Sequence, residues 1–182
     1  MKEKRIKGPL GKSAPKPQVK VGVGVIVCKG HKVLVGQRTG SHGEGVYAFP
    51  GGHVDPEDVV APHPNGGLAA CGEREVFDET GIICRVFSPD HFRLELFTTC
   101  DILSEDGEKA YVTPYLIADY IHGGTLIKQG DKEMIQPLEP DKCKGWQWVS
   151  LDELAMMVDS KTQMTWIPVH QVLYYLKQLW RI

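Results

Sequence analysis

Apolar residues recur at every second position from Val21 to Val27, which is the period of a β-strand. A turn at Gly30-His31 and a second apolar stretch at Lys32–Gly36 predict an antiparallel partner, so Val19–Arg38 reads as two strands. Thr39–Gly45 is a Gly-rich loop, and Val46–Phe49 is a short apolar run that stops at Pro50. A further loop runs through Pro62, Pro64 and Asn65. From Asn65 or Gly67 to Thr80 the pattern suits a helix, with Gly67 and Gly72 weakening its early turns. Gly81 stands where a left-handed C-terminal cap residue belongs. Ile82–Val86, Arg93–Leu103 and Ala110–Tyr120 read as strands, with Asp106-Gly107 as a hairpin turn between the last two. Trp146–Val149 is another short strand, leading into a helix at Leu151–Val158. Val169, Val172, Leu173, Leu176, Leu179 and Trp180 fall at helical spacing and predict an amphipathic C-terminal helix. The order is β-rich, with a helix inserted midway, another at the end and no internal repeat.

At 182 residues the chain has one domain's length. Its 42% apolar and 24% charged residues are ordinary globular usage, and 20 Gly with 12 Pro are too few for a fibre or a disordered chain. Residues 1–18 are basic, Pro/Gly-rich and poor in large apolar residues, so they read as a flexible tail ahead of a single domain, 19–182. Gly8-Pro-Leu-Gly11-Lys12-Ser13 in this tail is no phosphate loop: two residues separate the glycines where four are needed, and no strand precedes it.

The net charge is −2, but residues 1–20 hold seven Lys/Arg against one acid. The remaining residues therefore carry fourteen basic side chains against twenty-two acidic ones. An acidic body argues against a nucleic-acid polymer as partner, since such binding rests on neutralised phosphates. It suits a site built from carboxylates that requires metal ions. Five cysteines, an odd number with no Cys-x-x-Cys, give no zinc or redox motif and read as reduced thiols in the cytoplasm. The longest apolar run, Val21–Cys28, is far too short to span a bilayer.

The candidate chemistry lies in Arg74-Glu75-Val76-Phe77-Asp78-Glu79-Thr80-Gly81-Ile82. Glu75, Asp78 and Glu79 fall at i, i+3 and i+4, so a helix places all three on one face. Like charges this close weaken a helix unless water or a cation neutralises them. A solvated acidic face is one reading; oxygen ligands for a hard cation, Mg²⁺ above all, are the other. Gly51-Gly52, ahead of this segment, permits close backbone approach to a ligand.

Residues 74–82, led in by Pro50-Gly51-Gly52-His53, resemble the Nudix hydrolase signature, with Asp78 in place of one Glu. Asp58 lies where the first Glu of that pattern belongs, with Glu57 beside it. Arg74 lies sixteen positions after Asp58 against eight in the family, which reads as an eight-residue insertion within roughly Val59–Gly66. The segments 21–27, Gly36-Gln37-Arg38, Gly40-Ser-His-Gly43 and 47–53 look like the MutT-like branch acting on nucleoside triphosphates. Residues 139–148 are similar to eukaryotic members of that branch and also to plant dihydroneopterin triphosphate pyrophosphatases.

The resemblance implies an α+β fold, a Nudix-type α/β/α sandwich with a mixed β-sheet. It implies Mg²⁺-dependent hydrolysis of a nucleoside triphosphate, oxidised forms such as 8-oxo-dGTP included, to the monophosphate and pyrophosphate, with Mn²⁺ as a substitute cation. Dihydroneopterin triphosphate hydrolysis and a non-catalytic nucleotide-binding module are the alternatives. Glu75, Asp78 and Glu79 would be metal ligands, joined by the Gly52 carbonyl and by Asp58 or Glu57. Glu75 or Glu79 would also serve as base, and Arg74, counted with them in the catalytic set, would hold the carboxylate face in place. Arg38, Gly51, His53 and Glu139 are the candidates for substrate contact; Trp146 and Trp148 read as core and strand residues. The partner implied is a small molecule carrying a di- or triphosphate, with no membrane involved, and related enzymes often form homodimers.

Overall fold

The computed structural model describes residues 18–39, 44–60, 62–87, 98–103, 109–130, 132–159 and 169–180. The basic tail up to residue 17, Gly40–Gly43, the Arg93 end of the strand expected at 93–103 and the Asp106-Gly107 turn lie outside them.

The predicted first pair of strands is present as β1 (Gln18–Lys29) and β2 (Lys32–Arg38), joined through Gly30-His31. β3 (Tyr47–Ala48) follows and pairs with β2. β4 (Gly51–His53) then lies antiparallel to β1, with Gly22 opposite His53. Glycine is a poor strand former, and Gly51-Gly52 carries no periodic signal for this pairing. Next come α1 (Pro56–Val60), α2 (Gly67–Thr80), β5 (Ile82–Val86), β6 (Thr98–Leu103) and β7 (Lys109–Gly123). A hairpin of β8 (Leu126–Gln129) and β9 (Lys132–Ile135) precedes β10 (Cys143–Ser150), α3 (Leu151–Asp159) and α4 (Val169–Trp180). Only part of the expected insertion is loop, because Val59 and Val60 complete α1, where both are exposed.

One mixed sheet runs β5-β7-β1-β2-β10-β9-β8, with β3, β4 and β6 paired alongside. β1 and β7 are parallel, and the other described pairings are antiparallel. Strand alternation sends successive β1 side chains to opposite faces. Val23, Val25 and Val27 pack with Ala69, Cys71 and Val76 of α2. Ile26 and Cys28 pack on the other face with Leu154 and Met157 of α3 and Val172 and Leu176 of α4. The fold is therefore the expected mixed sheet between helices. Among the described residues no helix is long and apolar enough to cross a membrane.

α2 can lie close to the sheet because Gly72 has no side chain. A Cβ there would stand 3.0 Å from Val25 and 3.1 Å from Leu116. Its helix-weakening glycine is thus the price of contact. The helix ends at Gly81, which is left-handed (φ 67°) and donates its N–H to the Phe77 carbonyl at 2.8 Å. Gly81→Ala should cost about 1 kcal/mol, the penalty for a Cβ in that conformation. A denaturant midpoint lowered with unchanged slope would show it, since the added methyl meets only Leu138, at 3.7 Å.

Candidate active site

The buried face of α2, with Val76 and Thr80, faces the sheet, and this turns Glu75 and Glu79 toward β4. The backbone N–H of Gly51 donates to Glu79 Oε2 at 3.1 Å. The carboxyl group of Glu75 occupies the space that a Cβ on Gly52 would need. Both glycines therefore bring bare backbone against the two carboxylates, and the strand they form with β1 fixes it there.

Arg74 ties the acidic face together. Its Nε and Nη2 donate to the two oxygens of Asp58 at 2.9 and 2.8 Å. Nη1 donates to Glu75 at 2.9 Å and more weakly to Asp78 at 3.5 Å, and Nη2 also reaches the His53 carbonyl at 3.2 Å. Asp55 lies 3.4 Å from Nη2. Side-on bidentate pairing of this kind is the strong form of a carboxylate contact. Of the two acids at the start of the insertion, Glu57 is exposed and Asp58 is only 5% exposed. Asp58 also accepts the backbone N–H of Asp55 at 2.9 Å. Its oxygens are thus engaged by Arg74 and a backbone amide, which is the geometry of an anchor and not of an open ligand. Asp78 is 51% exposed and shares the Arg74 Nη1 with Glu75.

These contacts set the charge states. The Arg74 hydrogen bonds hold the Asp58 carboxyl down at about 2. Burial pushes Glu75 up, and pushes Glu79 up to about 8, with the charges of Glu75 and Glu139 adding to the effect on Glu79. A raised acid binds more protons in the folded state, so the cation-free protein loses stability from this group as pH rises from 4.5 through about 8. A divalent cation would replace that proton.

The donor set fits a hard divalent ion: two partly buried carboxylates one helical turn apart, which repel each other, with the Gly52 backbone against one of them. Among the described residues no three His, Cys, Asp or Glu side chains form a ready-made cage. Mg²⁺ does not require one, since it keeps waters and takes one or two carboxylates together with substrate phosphates.

A cleft of about 490 Å³ opens over this pair. It brings together Arg38, Gly51, Gly52, His53, Glu75, Glu79 and Glu139 from the expected set, and leaves Asp58, Arg74 and Asp78 outside its lining. His53 is exposed at the end of β4 and is no core residue. Trp146 is 4% exposed and forms cleft wall as well as core, while Trp148 packs edge-on to Tyr120 away from it. Glu139 is paired with Lys142 at 2.7 Å. Lys142 and Asp55 also line the cleft, and sequence reasoning missed both. The signal available for Lys142 is its position three residues after Glu139, within the segment 139–148. Four cysteines, Cys28, Cys71, Cys84 and Cys143, are buried free thiols, and burial pushes the first three up to about 12.

Two variants probe this geometry. Gly52→Ala should leave the melting temperature nearly unchanged, because the added methyl displaces only the flexible end of Glu75, yet lower kcat about tenfold or more. Arg74→Met should cost about 2 kcal/mol or more, since it leaves Asp58 buried without its partner. In the wild type the Asp58 contribution is complete above its ordinary 3.8 and is lost as pH falls toward about 2. Acid titrations of unfolding should therefore show a shallower loss over that window in the variant.

A NUDIX domain family model matches residues 18–171. The fold is similar to the crystal structure of a NUDIX hydrolase from Alicyclobacillus acidocaldarius, with a TM-score of 0.59, 18% identity, and coverage of 89% of this chain and 92% of that one. It is also similar to a MutT NUDIX hydrolase from Burkholderia pseudomallei, with a TM-score of 0.51, 22% identity, and coverage of 74% and 85%. A bifunctional NMN adenylyltransferase/ADP ribose pyrophosphatase from Francisella tularensis, complexed with AMP and a Mn ion, matches at a TM-score of 0.53 and 18% identity over 92% of this chain and 43% of that one.

Proposed function

This chain belongs to the NUDIX family and is a hydrolase of pyrophosphate-linked substrates; on that premise we propose that its substrate is a nucleoside triphosphate, cleaved to the monophosphate and pyrophosphate. The observation that carries this reading is the placement of Glu75 and Glu79 on one side of a cleft that Arg38 and Lys142 also line. Carboxylates to recruit a divalent ion and cations to receive phosphate oxygens then share one space large enough for a nucleotide-sized ligand.

A divalent cation, Mg²⁺ with Mn²⁺ as substitute, would be held by Glu75 and Glu79 and would supply Lewis acidity toward the phosphate oxygens; the Gly52 carbonyl is turned toward β1 and Asp78 toward Arg74, so neither expected ligand is placed to join them. Water adds to one phosphorus, the bond from that phosphorus to the bridging oxygen breaks, and the electron pair leaves with pyrophosphate. The proton of the water passes to a carboxylate of the Glu75/Glu79 pair. The Gly51 N–H fixes the Glu79 carboxylate, and Arg74 fixes that of Glu75. Asp58 acts here as the anchor of Arg74. Arg38 and His53 contact the phosphate chain from the ends of β2 and β4.

Pyrophosphate release should be measured with Mg²⁺ and with EDTA across standard dNTPs, 8-oxo-dGTP and dihydroneopterin triphosphate. Metal-dependent turnover is expected on at least one, and a preference of about tenfold names the class. Glu79→Gln should lower kcat by about 100-fold or more without loss of folding. Turnover equal to wild type in that variant would remove Glu79 from the site.

A further inference from the structure

We propose that Lys142 is a further substrate-binding residue, which takes the outer phosphate oxygens of the substrate and is held in readiness for them by Glu139. This rests on the hydrolase reading of the cleft.

The segment that carries Lys142 is fixed at both ends to catalytic elements. The Leu138 N–H donates to the Glu79 carbonyl at 2.9 Å, which ties the segment to the last turn of α2. Thr39, just beyond β2, donates its N–H to the Lys142 carbonyl at 3.0 Å and its hydroxyl to the Asp141 carbonyl at 2.6 Å. Between these ties the backbone turns tightly, with the N–H groups of Lys142 and Cys143 both on the Glu139 carbonyl at 3.0 and 3.1 Å. The Lys142 backbone is therefore placed by the same helix that presents Glu79 and by the strand end that presents Arg38.

The side chain, in contrast, is free to move. It is 64% exposed and pairs with Glu139 at 2.7 Å. An exposed Lys–Glu pair three residues apart is weak, because water screens it and two long side chains must be ordered to make it. A phosphate oxygen entering the cleft offers the ammonium a denser negative charge. Exchange of Glu139 for phosphate is thus favourable and needs no backbone movement. A lysine suits this role because it is a point charge on a flexible stem and can follow the phosphates as the bond breaks.

Charge in the cleft supports the assignment. Asp55, Glu75, Glu79 and Glu139 contribute four acids to its lining, and a triphosphate adds several negative charges. One divalent ion and Arg38 leave this balance strongly negative. Lys142 is the lysine among the lining residues. If Lys142 served only to neutralise Glu139, the loss in Lys142→Met would come from the bared Glu139 charge, and adding Glu139→Gln would restore affinity.

The test compares wild type with Lys142→Met, Lys142→Arg and a control, Lys144→Met, whose lysine is exposed on β10 outside the cleft. Two readouts are taken: steady-state kinetics on the best substrate of the panel, and calorimetric binding of inorganic pyrophosphate with Mg²⁺. Lys142→Met should raise KM about tenfold or more with kcat within about threefold, and weaken pyrophosphate to a similar degree. Lys142→Arg should recover most of both, and Lys144→Met should match wild type. If wild type turns over and Lys142→Met leaves both KM and pyrophosphate affinity unchanged, or if Lys144→Met falls equally, the proposal is overturned and the hydrolase reading stands. If no substrate turns over but Lys142→Met alone loses pyrophosphate, the triphosphate reading falls and Lys142 remains a phosphate ligand. Absence of both turnover and pyrophosphate binding in wild type overturns both.

Discussion

Arg74 sits one residue ahead of the acidic face of α2 and meets four carboxylates, those of Asp55, Asp58, Glu75 and Asp78. Without a counter-charge, so many acids around one helical turn would repel each other and splay. The guanidinium resolves the conflict by geometry as well as charge. Its fork engages the buried Asp58 with two nitrogens and uses the remaining one to draw in Glu75 and Asp78. Of the two carboxylates that face the cleft, Glu75 is oriented in this way, and the Gly51 N–H orients Glu79. The arrangement of the acids around it follows: Asp58 anchors, Glu75 is held facing the cleft, and Asp78 stays half exposed at the guanidinium.

The sheet supplies the other half of the constraint. β1 is buried on both faces, so α2 on one side and α3 with α4 on the other compress a common layer. The cleft opens on the α2 side and at its edge, and its lining comes from β2, β3, β4, α2, β10 and the segments beside them. Among the described residues, none of the lining comes from α3 or α4. Those helices hold the sheet against α2, while the cleft is lined by the backbone of two glycines and the acids opposite them.

Much of this is legible in the residues. The valine alternation of β1, the helix ending at Gly81 and the three acids at helical spacing each carry a strong local signal, and each is found where that signal places it. Propensity alone makes Gly72 a weakness of the helix; its reason is the contact with Val25 and Leu116. β4 gives no signal because Gly51 and Gly52 have no side chains to set a period. The β8–β9 hairpin gives none because its residues are mixed polar and mostly exposed, with Ile135 its one buried side chain. The role of Asp58 depends on which distant side chain meets it, and Arg74 lies sixteen residues away, beyond a loop whose path no local pattern determines. Lys142 is hidden for the same reason: its relevance comes from the tie between its segment and the end of α2.

The parallel pairing of β1 with β7 sets an order of events for the newborn chain. Gln18 is matched with Lys109 and Cys28 with Asp119, so the central ladder cannot close until more than half of the polypeptide has been made. Closing so long a loop is slow, and contacts this remote in sequence are the late ones in folding. α2 emerges well before β7 does, and its apolar face has only the β1–β2–β4 fragment to rest on in the meantime. The acidic helix therefore waits for its floor, and a ribosome-bound chain stalled ahead of β7 would hold every motif residue of residues 50–82 and still lack the layer that aligns them.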